Sequence, residues 1–497
     1  MRNWKVSARA LRRVLVLLGL LGAVVSSCRP SAPLHHRELA PVILDVSARD
    51  AREQASADGS PARPFATLAA ALRVAPPGAL VRLDEGDYQA GLLLMQRVVL
   101  MGRGPARTRL LPGSAGAPVL AVRGTGGVEL RGLAIEGGDV GLLIEGGEGH
   151  LLSHVALRGQ GRTALLVRAA GVTLRGSEIV DAGRGQSGFG IEATGGSLHL
   201  EHCLLRRAGR RAVVLHGTHA LLEDVDVADS ALSALQATDG ANVRVRGGSF
   251  VRLGGAAVYA GGARLAVEGA RIADSEYGVM GFRGAHISVE GSLLENQRVS
   301  GVAVVQSSGS LRRSTVFRGG IEGGVFALST TEPFLIEDSR IIEPGTFGIH
   351  LSHASAVIRG SEIAFATTDP QRDLGDGIYA NDSSLVLQWS VLRRNQGSGL
   401  SLVRSRLTLE SSDFIGNGRA GISLLDRTTA TAATSLFGKN GAGILVGERS
   451  ELSLAGNVFD ANTLFAIDAG CRDPAVIRER GRRTQYLGPS PRQRACP

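Results

Sequence analysis

A repeat of about 22 residues begins near residue 128 and continues almost to the end of the chain. Each unit contains a short alternating strand, a polar turn, and a Gly or Ala followed by an aliphatic residue. In the later units these pairs are Gly278-Val279, Gly301-Val302, Gly324-Val325, Gly348-Ile349, Gly377-Ile378, Gly399-Leu400, Gly421-Ile422, Gly443-Ile444 and Ala466-Ile467. A period of this size indicates stacked repeats, which act through a long lateral surface.

The composition of one unit predicts strands and excludes helical repeats. Residues 197–201 and 264–268 alternate apolar and polar side chains with a period of two, which is typical of half-buried strands. No unit has room for a strand and a ten-residue helix. Stacked coils about 4.8 Å apart would bury one continuous apolar core. One unit is irregular, because its core pair reads as Ser233-Ala234, and we expect a loosely packed coil there.

The repeat unit resembles one coil of a right-handed parallel β-helix, as in pectin-lyase-like proteins. The resemblance implies an all-β solenoid of about 15 or more coils over residues 128–470. Residues 42–111 are similar to a module that opens many bacterial β-helix proteins, and we expect a cap and the first coils over residues 42–127. The matching segments are Asp58-Gly59-Ser60, Arg63-Pro64-Phe65, Pro77-Gly78, and Glu85-Gly86-Asp87-Tyr88.

A short helix is expected within this opening module. Residues 67–75 are rich in alanine, and Pro76-Pro77-Gly78 would end the helix. Such a helix would cover the exposed end of the solenoid. The nearby acidic residues Asp84, Glu85 and Asp87 have two interpretations, a metal site or turn residues before the first coil; the turn interpretation is favoured.

The first 28 residues are similar to a bacterial lipoprotein signal. A basic start precedes an apolar run over 14–25, which is too short to span a membrane permanently. The segment Val25-Ser26-Ser27-Cys28 resembles a lipobox, so residues 1–27 are expected to be removed and Cys28 lipidated. In such lipoproteins an Asp after the cysteine tends to retain the protein at the inner membrane. Arg29 occupies that position here, so the resemblance implies the outer membrane. Residues 28–41 are expected to form a tether. The alternative is an ordinary secretory signal that is cleaved nearby.

The charge distribution argues against nucleic-acid binding. The formal charge of +9 includes five basic residues of the signal, so the exported chain would carry about +4. These charges are scattered, and no aromatic-interleaved basic patch accompanies them. The histidines have no metal-ligand spacing, and we predict no metal and no cofactor. Contact with a membrane is expected only through the lipid at Cys28.

The cysteines divide into one core residue and one candidate pair. Cys203 lies within a repeat and is expected to be a buried free thiol. Cys471 and Cys496 flank the last segment, and an oxidising compartment makes a disulfide between them plausible. That bond would close the tail, residues 471–497, over the final coil. The alternative is a reduced pair and a loose tail.

One outward row of the predicted solenoid is a candidate binding surface. The residue after each aliphatic anchor points outward, and these residues are Tyr259, Met280, Ala303, Phe326, His350, Tyr379, Ser401 and Ser423. Phe326, His350 and Tyr379 are consecutive, and an insertion over 366–376 enters just before Tyr379. We therefore expect Tyr259, Phe326, His350 and Tyr379 to bind a polysaccharide or another surface partner. The alternative is that these rings pack under the insertion or the tail.

Catalysis is the competing hypothesis. The catalytic candidates are His350, Asp369, Arg372, Asp373 and Asp376. His350 as a base, with Arg372 to neutralise a uronate, would suit a lyase or a C5-epimerase. Paired carboxylates would suit a glycoside hydrolase. The motifs expected from the resemblance are missing, including the Asn-Thr-Asp series of polygalacturonases and the calcium carboxylates of pectate lyases. The sequence therefore favours a non-catalytic envelope lipoprotein over an enzyme, and either over a structural spacer.

Overall fold

The computed structural model describes residues 42–48, 56–183, 188–368, 375–470 and 477–488. These residues form a parallel β-solenoid of about 18 turns, which confirms the predicted fold class. Three strands belong to each complete coil, and equivalent strands of successive coils pair in parallel to form three long sheets. We call them the first, second and third sheets, in the order in which a coil visits them.

The first sheet contains the strands with the clearest alternation. In Arg264–Glu268, for example, the second and fourth residues are buried and the others face outward. Its strands are Ile43–Val46, Ala79–Leu83, Val98–Met101, Glu129–Arg131, His150–Ser153, Gly171–Arg175, Ser197–Glu201, His219–Glu223, Asn242–Arg246, Arg264–Glu268, His286–Glu290, Ser308–Arg312, Phe334–Glu337, Ser355–Arg359, Ser384–Gln388, Arg406–Glu410, Thr429–Ala433, Glu451–Ala455 and Ile477–Glu479.

The second sheet follows after a tight turn and is built mostly from three-residue strands. The middle residue of each short strand points into the core, as Phe250 does in Ser249–Val251. Its strands are Gly86–Gln89, Thr108–Leu111, Ala134–Glu136, Ala156–Arg158, Glu178–Val180, Leu204–Arg206, Asp226–Ala228, Ser249–Val251, Arg271–Ala273, Leu293–Glu295, Thr315–Phe317, Arg340–Ile342, Glu362–Ala364, Val391–Arg393, Asp413–Ile415, Leu436–Gly438, Val458–Asp460 and Gln485–Leu487.

The third sheet carries the Gly-aliphatic pairs that define the repeat. Its strands are Leu92–Leu94, Leu120–Arg123, Val140–Glu145, Thr163–Arg168, Phe189–Thr194, Arg211–His216, Ser233–Thr238, Ala256–Gly261, Tyr277–Phe282, Ser300–Val305, Gly323–Leu328, Phe347–Ser352, Asp376–Asn381, Leu400–Val403, Ala420–Leu425, Ala442–Val446 and Phe465–Asp468.

Close approach between coils explains the glycine of each pair. A Cβ on Gly348 would lie 2.3 Å from the carbonyl oxygen of Gly377 and 2.3 Å from Cγ2 of Ile363. A Cβ on Gly421 would lie 2.7 Å from the carbonyl oxygen of Gly443. These contacts leave no room for a larger residue, so the repeat reflects backbone packing between coils.

The expectation of a loose coil at Ser233 is wrong. Leu235 pairs in register with Val213 and Val258, so the core pair of this coil is Ala234-Leu235. Both residues are fully buried, and Ser233 is the residue before this pair, in register with Arg211. The error was a frame slip of one residue, which exchanges the inward and outward faces of a strand.

Two ladders of similar side chains lie in the coils between residues 395 and 486. Phe414, Phe437, Phe459 and Tyr486 stack with successive ring centroids 5.1, 4.9 and 5.4 Å apart. Four buried asparagines form a second ladder, namely Asn395, Asn417, Asn440 and Asn462. Each ladder repeats one interaction in consecutive coils, which is the packing that in-register stacking favours.

The described part of the opening module contains one helix, Leu68–Val74, within the predicted segment. Oγ1 of Thr67 accepts a hydrogen bond from the amide of Ala70 at 3.2 Å, which caps the first turn. Leu68 and Ala71 are buried, and the helix packs against strands Ile43–Val46 and Ala79–Leu83. The role of this helix as a cap stays a prediction.

The acidic residues of the opening module form ion pairs with arginines of the next coil. Asp84 contacts Arg103 at 3.3 Å and Glu85 contacts Arg107 at 3.0 Å. Asp87 contacts Arg109 at 2.7 Å. These contacts agree with the turn interpretation, since each carboxylate already has a cationic partner.

Two further sequence predictions concern single features. Cys203 is a buried free thiol, as expected, and burial raises its pKa. Among the residues described, no helix is both long enough and apolar enough to cross a membrane. Cys28, Cys471 and Cys496 lie outside the described residues.

Candidate functional site

The outward row predicted from the repeat is present on the third sheet. Tyr259 pairs with Met280, Ala303 with Phe326, and Tyr379 with Ser401, so the expected register is confirmed rung by rung. Phe326 pairs with His350, which in turn pairs with Tyr379. Phe326, His350 and Tyr379, which lie on three consecutive coils, therefore form one continuous row.

Four rings in this row and beside it form an aromatic cluster, comprising Phe326, Phe347, His350 and Tyr379. The centroid of His350 lies 5.2 Å from that of Phe326, 5.1 Å from that of Phe347 and 5.6 Å from that of Tyr379. The rings of Phe347 and Tyr379 stack at 5.2 Å. Phe347 is buried, whereas the other three rings are partly exposed. The cluster thus presents three rings on a buried aromatic support.

His350 has a mixed environment at the centre of the cluster. Its side chain is only 20% exposed, and Oε2 of Glu322 lies 3.4 Å from Nδ1. Nδ1 makes no well-aligned hydrogen bond to any described residue, so Glu322 acts mainly through its charge. Burial lowers the pKa of His350, and the negative charge of Glu322 partly opposes this change. The imidazole of His350 is therefore neutral at neutral pH.

A second outward row contributes residues that the sequence argument missed. This row is formed by residues that directly precede the glycine of a pair, and in it Tyr277 pairs in register with Ser300, and Phe347 with Asp376. Burial raises the pKa of Tyr277, and the charges of Glu276 and Glu322 add to this increase. The signal was available, because Phe347 and Tyr277 directly precede the glycine of a Gly-aliphatic pair.

Asp376 is the one catalytic carboxylate candidate among the described residues, and it is buried. Its Oδ1 accepts a hydrogen bond from the amide of Ser398 at 2.6 Å, which joins two successive coils. Asp376 also pairs in register with Phe347. This carboxylate therefore stabilises the strand start beside the aromatic cluster. Asp369, Arg372 and Asp373 lie outside the described residues.

Tyr259 belongs to the same row but not to the cluster. Met280 and Ala303 separate it from Phe326, and Ala303 is buried. Beside Tyr259 lies Arg211, whose guanidinium is partly buried; burial, and then the charge of Arg210, lower its pKa. Nε of Arg211 has no hydrogen-bond partner among the described residues. Tyr259 and the aromatic cluster are thus two separate parts of one face.

Comparison with known proteins identifies the architecture. A family model described as right handed beta helix region matches residues 187–335 and 323–477, which together make up more than half of the chain. No curated protein matches the sequence.

The similarity to solved structures is low. An alginate lyase from Paenibacillus sp. str. FPU-7 is 17% identical, with 45% of this chain and 90% of the lyase covered and a TM-score of 0.39. A periplasmic alginate epimerase is 10% identical, with 83% and 84% covered and a TM-score of 0.30. The N-terminal fragment of bacteriophage Phi29 gene product 12 is 9% identical, with 82% and 88% covered and a TM-score of 0.34. Similarity at this level does not indicate an activity.

Proposed function

Since the chain belongs to the right-handed β-helix family, we propose that it is an exported envelope lipoprotein whose third-sheet face binds polysaccharide without cleaving it. The observation that carries the proposal is the aromatic cluster of Phe326, His350 and Tyr379 on Phe347. Partly exposed rings on an outer sheet face are typical of interaction sites. Flat rings suit the apolar faces of sugars, and Tyr259 would extend the contact along the same row.

Binding is favoured over catalysis by the surroundings of the candidate groups. Asp376 accepts a backbone hydrogen bond and is buried, so it is poorly placed to act on an external substrate. Hydrolysis needs two carboxylates on opposite sides of the scissile bond. One observation favours a lyase or C5-epimerase as the second candidate, namely the lowered pKa of His350, which supplies a neutral base.

A glycan array followed by calorimetry tests the binding proposal. The double variant Phe326→Ala/Tyr379→Ala should lower the affinity for the glycan that binds best at least about tenfold, because stacked rings contribute much of the binding energy of such contacts. Trp389→Ala is the matched control, since Trp389 is 58% exposed but lies off the row, in a turn between the first and second sheets. Unchanged affinity in the double variant would contradict the proposal.

An activity screen on acidic polysaccharides separates binding from catalysis. The binding proposal expects neither unsaturated nor reducing ends after prolonged incubation. Release of such ends by the wild type, or a change in the ratio of C5 epimers measured by NMR, together with loss of that activity in His350→Ala, would establish the enzymatic alternative. The same screen with Asp369→Ala, Arg372→Ala, Asp373→Ala and Asp376→Ala would then assign roles within the insertion.

The proposed anchor and tail are tested by separate experiments. We expect Cys28 to carry lipid and residues 28–41 to tether the solenoid to the outer membrane. Cys28→Ser should abolish incorporation of labelled palmitate and move the protein from the membrane to the soluble fraction. Palmitate labelling of Cys28→Ser would refute the anchor.

A disulfide between Cys471 and Cys496 should appear as a two-dalton mass difference on reduction, which the Cys496→Ser variant would lack.

A further inference from the structure

An open groove lies away from the aromatic cluster. It has a volume of about 700 Å³ and follows the outer face of the first sheet from Gly171 to Ser288. We call it the first-sheet groove. It spans six consecutive strands, from Gly171–Arg175 to His286–Glu290. Its volume is in the range of ligand-binding clefts.

The floor of the groove is one outward row of the first sheet. His199, Leu221, Arg244, Ala266 and Ser288 are paired in register along it. Ala266 and Ser288 are short side chains next to the long side chain of Arg244, and they leave a depression in the row. The floor is thus apolar in parts, which suits a ligand with both apolar faces and polar edges.

A neighbouring row forms a wall of hydrogen-bond donors. His219, Asn242, Arg264 and His286 are paired in register on consecutive strands, and all four are exposed. Nδ1 of His286 lies 2.9 Å from Oγ of Ser308. The side chains of His219, Asn242 and Arg264 have no hydrogen-bond or ion-pair partner among the residues described. This wall therefore has free donors, including a full guanidinium.

The charges around the groove are unevenly distributed. Glu223 is occupied by His199 at 2.8 Å and Arg246 at 3.2 Å. Glu268 contacts Arg244 at 3.4 Å and Arg246 at 3.6 Å. The one carboxylate that lines the groove among the described residues is Glu148, at the opposite end from His286. The positive charge of Arg264 is therefore left uncompensated at the wall.

From this geometry we infer that the first-sheet groove is a second binding site, which takes a linear glycan bearing carboxylate groups. Arg264 presents a planar fork of donors that matches a carboxylate, and His219 and Asn242 provide hydrogen bonds on the two preceding rungs. Rungs repeat about every 4.8 Å, a length similar to one sugar unit of an extended chain. The glycan would lie along the stacking direction. The inference rests on the proposed function only in taking the ligand to be a polysaccharide.

Calorimetry with an oligogalacturonate tests the inference. Arg264→Ala should weaken binding about tenfold, Arg264→Glu should abolish it, and the fully methyl-esterified oligogalacturonate should bind the wild type at least tenfold more weakly. Arg271→Ala is the matched control: Arg271 lies in the same coil but on the second sheet, where it pairs with Glu295. It should leave the affinity within about twofold. Thermal unfolding checks that each variant is folded.

The outcomes are distinguishable from those of the aromatic cluster. Wild-type affinity in Arg264→Glu, equal binding of the methyl ester, or an equal loss in Arg271→Ala would each overturn the inference, the last by revealing unspecific charge attraction. Phe326→Ala/Tyr379→Ala should leave binding of the oligogalacturonate to the groove unchanged. A loss in that double variant with none in Arg264→Ala would place the acidic glycan on the third sheet instead.

Discussion

At the scale of single residues, side-chain amides link the last coils of the solenoid. Nδ2 of Asn417 donates to Oδ1 of Asn440 at 2.9 Å and to the carbonyl oxygen of Leu392 at 3.0 Å. Its Oδ1 accepts a hydrogen bond from the amide of Asn395 at 3.2 Å. Such buried groups are costly to leave unpaired. The ladder therefore specifies the register of these coils as well as their stability.

Asn417→Ala should lower the free energy of unfolding by about 2–3 kcal/mol, because it leaves buried donors and acceptors in neighbouring coils without partners. Denaturant titration measures the change. Asn242→Ala is the control, since Asn242 is an exposed strand residue and its replacement should cost less than about 0.5 kcal/mol. Equal losses in the two variants would contradict a role for the buried ladder.

His350 should make stability depend on pH. Burial lowers the pKa of His350 in the folded protein, so the unfolded chain binds this proton more readily. Its contribution is complete above the ordinary imidazole pKa of about 6.5 and declines as the pH falls below that value. The wild type should therefore lose more thermal stability between pH 7.5 and pH 5 than His350→Gln. Equal losses in the wild type and in His350→Gln would contradict this contribution.

The sequence predicted the outward row but not the full cluster. Alternation after each glycine was sufficient to place Phe326, His350 and Tyr379 on one line. Phe347 was missed because a second outward position precedes the glycine. Glu322 was missed because it lies in a turn outside the strands, where periodicity says nothing about neighbours. The first-sheet groove depends on the lengths of adjacent side chains across six coils, which a strand pattern does not encode.

At the scale of the strand and its turn, the backbone of the following coil limits the size of the residue at the glycine position of each pair. The same position holds alanine at Ala212, Ala234 and Ala257, and these residues are fully buried. The sequence alone could not distinguish a glycine required by close contact from one that alanine would replace. It did reveal the period, because the contact recurs once per coil.

Gly348→Ala should destabilise the protein by about 1–3 kcal/mol, because the new methyl group would overlap the carbonyl of Gly377 and the side chain of Ile363. Gly438→Ala is the matched control in the second sheet: its nearest contact would be 3.8 Å, with the carbonyl oxygen of Asp460. That variant should stay within about 0.5 kcal/mol of the wild type. Urea denaturation of both variants measures the difference, and tolerance of alanine at Gly348 would refute the packing explanation.

At the scale of the whole molecule, coils interact with their immediate neighbours, so stability should be distributed along the stack. Hydrogen exchange of Gly348→Ala should therefore be faster in strands Gly323–Leu328, Phe347–Ser352 and Asp376–Asn381. Strand Thr163–Arg168, several coils away, should keep its protection. A uniform increase across the chain would instead indicate that the solenoid unfolds as a single cooperative unit.

A ladder of serine and threonine hydroxyls in the turns between the third and first sheets has an evolutionary consequence. The amide of Ser383 donates to Oγ of Ser405 at 3.0 Å, that of Ser405 to Oγ1 of Thr428 at 3.3 Å, and that of Thr428 to Oγ of Ser450 at 3.1 Å. Each rung makes the same hydrogen bonds to its two neighbours. Loss of residues 405–427 would therefore place Thr428 where Ser405 had been, and the amide of Ser383 could donate to its hydroxyl. A partial deletion would put the residues at the junction out of register and break the bond there. Genes for such proteins can therefore lengthen or shorten by duplication or loss of whole coils, with every intermediate still able to fold.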